Sequence, residues 1–150
     1  MVIKIYVLLY FLVVYFERAL GHREGFSLGI RDSIMIAHSF TEEFGPAHNM
    51  HGATYTVDVE FSNGSELVKG SNWVIDIGEA SDLLAEVLKE YNFKNLNELF
   101  PTENTTTEFM CKVIHGDMCE KLKTKDWRGN LSVKLHESHK AWASYSSSVK

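Results

Sequence analysis

Clustered positive charge is what this 150-residue chain most lacks: 15 Lys and Arg stand against 20 Asp and Glu, for a formal charge of -5. A nucleic-acid surface gathers lysines and arginines against phosphates. The one small basic group is Lys121, Lys123, Lys125 and Arg128, so no nucleic-acid partner is expected. Cysteine is equally scarce, with Cys111 and Cys119 the only two. Within one predicted helix they lie about 12 Å apart at 1.5 Å rise per residue, too far for a disulfide. Both read as reduced thiols, which suits a cytoplasmic protein. The two prolines, Pro46 and Pro101, fall in stretches read below as connections. No apolar run reaches the roughly 20 residues that a helix needs to cross a bilayer.

What is present is an ordinary globular composition, 45% hydrophobic and 23% charged, at a single-domain length. Residues 2–16 are nearly continuous apolar and aromatic. With Lys4 before them and Ala19-Leu20-Gly21 after, they have the outline of a signal peptide. Glu17 and Arg18 interrupt that outline, and a hydrophobic anchor or an upstream extension outside the mature chain fits as well. Residues 1–24 are therefore set apart from one domain over residues 25–146, with 147–150 as a tail. A membrane partner is expected only if the first segment is retained.

Apolar residues alternate from Phe26 to His38, broken at Asp32, where a bulge or bend is expected. Thr41 to Asn49 is a loop. A second strand follows with His51, Ala53, Tyr55, Val57, Val59 and Phe61 on one face and polar residues on the other, the pattern of an antiparallel sheet with one wet side. A third strand is predicted over about Asn72–Ile77. Helices are predicted from Ser81 to Tyr91 and from a Thr105–Glu108 capping box onward, joined by a connector over Asn92–Asn104. Leu131, Val133, Leu135 and Glu137 share one face of a last strand, so a carboxylate points where the core residues point. The order implies an α+β fold with helices packed on one face of an antiparallel sheet.

Ile36-Ala-His38-Ser-Phe, His51-Gly-Ala-Thr-Tyr55, Trp73-Val-Ile-Asp76-Ile, Asn95-Leu-Asn97, Thr106-Thr-Glu108 and Leu135-His-Glu137-Ser resemble, in order and spacing, the 6-pyruvoyl-tetrahydropterin synthase and 6-carboxytetrahydropterin synthase family. The resemblance implies the tunnelling fold: a four-stranded antiparallel sheet with two helices on one face, joined edge to edge into an oligomeric barrel, commonly a hexamer of two trimers. It implies a lyase acting on a pterin or dihydroneopterin-type substrate, in tetrahydropterin or queuosine biosynthesis. The alternative is a pterin- or purine-binding protein of the same fold.

The resemblance also implies zinc, held in the family by three histidines. His38 and His51 match two of them, and Ala53 stands at the third. A catalytic zinc ordinarily keeps three protein ligands, so another group is expected to complete the set, with His48, Glu42, Glu43 and His139 as candidates. Ala47, Asn92 and Phe93 replace the family's cysteine, aspartate and histidine, none of which these side chains imitates in proton transfer. Acid–base chemistry is therefore expected from Glu42, Glu43 or His139. Thr106, Glu108 and Glu137 match the family's pterin contacts, Glu137 accepting the ring's donor pair.

Overall fold

The computed structural model describes residues 25–150; the readings of residues 1–24 lie outside them. Among the described residues no helix is long and apolar enough to cross a membrane.

Strand β1, Ser27–His38, pairs antiparallel with β2, His51–Ser62, from Ser27 opposite Ser62 to His38 opposite His51 without a skipped residue. The expected bulge at Arg31–Ser33 is absent. Asp32 breaks the apolar face but keeps its place in the ladder, its carboxylate accepting from the Ser33 N–H at 2.7 Å. The other edge of β2 pairs with β4, Gly129–His136, and β4 with β5, Trp142–Val149. A two-residue strand, β3 (Lys94–Asn95), runs parallel to β1, so among the described residues the sheet has five strands in the order β3-β1-β2-β4-β5. The α+β reading holds, with a mixed fifth strand added to the four antiparallel ones.

Helix α1, Ile77–Lys89, packs on β1, and the longer α3, Thr107–Thr124, on β4 and β5. Both lie on the sheet face carrying Tyr55, Val57, Val59, Phe61, Leu131, Val133 and Leu135, which are fully buried. A short helix α2, Leu96–Leu99, follows β3.

Four local expectations change. Asn72–Ile77 is not a strand. Val74 and Ile75 are buried as consecutive residues, with the Trp127 Nε1–H donating to the Val74 carbonyl at 3.2 Å. Helix α1 begins earlier than Ser81 because the Asp76 carboxylate caps it, accepting from the Glu79 N–H at 2.9 Å. The cap of α3 is Thr106, bonded to the Phe109 N–H, rather than Thr105, whose side chain turns inward. Residues 147–149 belong to β5 and are not a tail.

Candidate functional site

The β1–β2 ladder ends on a pair of histidines. His38 and His51 are register partners, and their rings lie 4.5 Å apart between centroids. Alternation alone puts both on the core-facing side. The exit of β1 is pinned by two asparagines. Asn97 accepts from the Ser39 N–H at 2.7 Å and donates to its carbonyl at 2.8 Å. Asn104 accepts from the Thr41 N–H at 3.0 Å and donates to its hydroxyl at 2.9 Å.

Glu137 completes the group. One ligand atom from each of His38, His51 and Glu137 lies within 4.8 Å of the others. Each side chain is also held from behind. His38 Nδ1 lies 3.2 Å from both the carbonyl and the hydroxyl of Thr105. A carbonyl only accepts, so Nδ1 carries the proton and Nε2 presents a bare lone pair. His51 Nδ1 donates in the same way to the Asn49 carbonyl at 2.8 Å. The Thr107 hydroxyl donates to Glu137 Oε2 at 2.7 Å. Imidazoles whose second nitrogen donates to a carbonyl are the usual form of metal-ligating histidine.

Burial supports the same assignment. His38 is fully buried, yet its Nε2 has no hydrogen-bond partner among the described residues. Burial, then the nearby His51, pushes its pKa down, which keeps the ring neutral and able to ligate. The Tyr55 hydroxyl, on the same face of β2, is likewise buried and without a partner among the described residues, and burial and the Glu137 charge push its pKa up. Two histidines and a glutamate are an established zinc donor set, so the residues fit the metal that the sequence implies.

The expected third ligands are elsewhere. Glu42, Glu43 and His139 are exposed and outside the group. Glu42 and Glu43 open a kinked 3-10 segment, Glu42–His48, where the Thr41 hydroxyl lowers the Glu43 pKa. His48 donates from Nδ1 to the Phe40 carbonyl at 2.9 Å. Glu108 is exposed in the first turn of α3. The two cysteines, Cys111 and Cys119, lie on α3, and burial pushes the Cys111 thiol up to about 11 and raises Cys119 as well. Asn92 has a structural task, accepting from the Met35 N–H at 3.0 Å.

Sequence reasoning missed three contributors. Phe40 packs edge-on against His38 at 4.6 Å and reaches His51 at 5.8 Å, while Thr105 and Thr107 supply the outer hydrogen bonds. The run Thr105-Thr106-Thr107 was legible as a helix start and, at Thr106, as a pterin contact that the resemblance implies, but not as a support for His38 and Glu137.

These features define a class: an α+β protein with a candidate His-His-Glu metal centre at the open end of an antiparallel ladder. The family model for 6-pyruvoyl tetrahydropterin synthase matches residues 27–148, and the chain belongs to that family, with its tunnelling fold. The Caenorhabditis elegans 6-pyruvoyl tetrahydropterin synthase superposes with a TM-score of 0.71 at 21% identity, covering 83% of this chain and 96% of that one. The Plasmodium vivax synthase gives 0.66 at 16% identity, over 84% and 99%. An uncharacterized protein from Wolinella succinogenes gives 0.58 at 11%, over 81% and 98%. At these identities the superpositions speak for the fold alone. No curated protein matches the sequence.

Proposed function

We propose that this chain is a divergent, metal-dependent lyase of the tetrahydropterin synthase family, acting on a pterin or dihydroneopterin-type substrate as a homo-oligomer. The metal is zinc, held by His38, His51 and Glu137. The observation that carries the reading is the convergence of three ligand atoms within 4.8 Å, each ligand fixed from behind. Bound zinc supplies Lewis-acid polarisation of substrate oxygens. Phe40 covers the histidine pair and limits water there.

With Glu137 taken by the metal, the substrate contacts fall to the first turn of α3. The Thr106 hydroxyl oxygen accepts from the Phe109 N–H, and its backbone N–H and carbonyl are bonded to the Asn104 carbonyl and the Met110 N–H, which leaves the hydroxyl hydrogen and the Glu108 carboxylate for the ligand. For proton transfer, Glu42, Glu43 and His139 lie on the two loops that border the cluster. Variants of the Plasmodium vivax synthase alter a glutamate described as a catalytic residue, which favours Glu42 or Glu43 in that role here.

A second reading, a pterin- or purine-binding protein without turnover, is favoured by Ala47, Asn92 and Phe93 at the family's acid–base positions. One experiment separates the two. The purified protein is analysed for metal, then incubated with a dihydroneopterin-type substrate. The first reading expects about one zinc per chain, lost in His38→Ala, and conversion of substrate. Binding without conversion selects the second reading, and a protein with neither metal nor pterin affinity overturns both.

A further inference from the structure

Glu137 sits where the sheet no longer holds it. Strand β4 ends at His136, and the backbone turns at once, the Glu137 N–H donating to the Ala141 carbonyl at 3.1 Å. Whatever aims the carboxylate at the histidines must therefore act on its side chain. Among the described residues the side chain makes one hydrogen bond, from the Thr107 hydroxyl at 2.7 Å. Two positions earlier in the same turn, Thr105 holds His38. The start of α3 is thus a common brace for two ligands that arrive from different strands.

We propose that Thr107 is a positioning residue that sets metal affinity by orienting Glu137 into the His38–His51 group. This rests on the metal-site reading above. A free glutamate side chain loses rotamer entropy on ligation. A preformed hydrogen bond meets that cost before the metal arrives. The bond also occupies one lone pair of Oε2, which favours ligation through Oε1 alone. Losing an outer hydrogen bond of this kind typically weakens metal binding by about 10- to 100-fold.

The test is zinc competition against a chromophoric chelator, together with the visible spectrum of the cobalt form. The proteins are wild type, Thr107→Val, Thr107→Ser and Glu137→Gln. Thr107→Val is expected to bind zinc about 10- to 100-fold more weakly, with a cobalt spectrum shifted toward that of Glu137→Gln. Thr107→Ser, which keeps the hydroxyl, is expected to restore both. Should Thr107→Val fail to fold, Thr107→Ala makes the same comparison. Wild-type affinity and spectrum in Thr107→Val, or in Thr107→Ala, overturn the inference while leaving the metal site intact. A wild-type chain that binds no zinc overturns the metal-site reading itself.

Discussion

The buried hydroxyl of Tyr55 yields a prediction whose sign runs against the usual effect of core substitution. Its ring is fully buried between β2 and the helices, and its oxygen has no hydrogen-bond partner among the described residues. An unsatisfied buried polar group costs about 1 to 3 kcal/mol. Tyr55→Phe removes that group and leaves the ring's packing unchanged, so the metal-free protein should gain about 1 to 3 kcal/mol. With a urea slope of about 2 kcal/mol per molar, the unfolding midpoint should rise by about 0.5 to 1.5 M. Tyr91→Phe is the built-in control. That hydroxyl donates to the Asp117 carboxylate, a charge-assisted bond in a half-buried setting, and its loss should cost about 1 to 2 kcal/mol. Both variants are unfolded in urea with chelator present. A destabilised Tyr55→Phe would show that the hydroxyl has a partner worth more than its burial costs, and would refute the reasoning.

Burial also lowers the pKa of His115, whose Nε2 donates to the Leu131 carbonyl at 3.2 Å. Below the ordinary value of 6.5 the unfolded chain binds the proton more readily. Stability is then flat above that pH and falls as pH drops toward the folded pKa, by at most about 1.4 kcal/mol per unit. His115→Gln keeps an N–H donor and cannot titrate, so metal-free unfolding curves between pH 7 and 5 should be less steep in the variant; equal slopes would rule out the contribution. Gly129→Ala should destabilise by about 1 to 3 kcal/mol, because a Cβ there would lie 2.5 Å from the Ser62 carbonyl and 2.6 Å from the Trp127 ring. Thermal unfolding with tryptophan fluorescence checks it, and an unchanged midpoint would mean that the backbone at Gly129 yields more easily than its contacts imply.

The elements legible in the sequence were those whose burial follows a period. β1, β2 and β4 alternate, and their core faces are the ones that pack. β5 was not legible because Ser144, Ser146, Ser147 and Ser148 leave only a weak pattern, with Ala143, Tyr145 and Val149 on one face broken at Ser147. It forms through pairing with β4, with Val149 buried at its end, a case of tertiary context overriding propensity. The reverse error occurred at Val74 and Ile75, where consecutive apolar residues suggested a strand and the structure buries them as loop. The start of α3 was misplaced by one residue for a chemical reason. Thr105 has the right hydroxyl for a cap but uses it on His38, so the capping passes to Thr106.

The site was half legible for a reason that the sheet register makes explicit. Parity assigned Glu137 to the core side of β4 but gave no measure of how far the strand continues. Were β4 extended in its register with β2, Glu137 would face Tyr55 and His139 would face Ala53, the position where the resemblance expects a third histidine. On that pattern His139 is the natural replacement ligand. The backbone instead leaves the sheet after His136, with the N–H groups of Glu137 and Ser138 both directed to the Ala141 carbonyl at 3.1 and 3.3 Å, and His139 is carried into solvent. The longer reach of Glu137, braced by Thr107, then brings a carboxylate to the histidine pair. Whether a residue two positions beyond a ligand joins the site or the surface is thus decided by a turn, which side-chain periodicity does not encode.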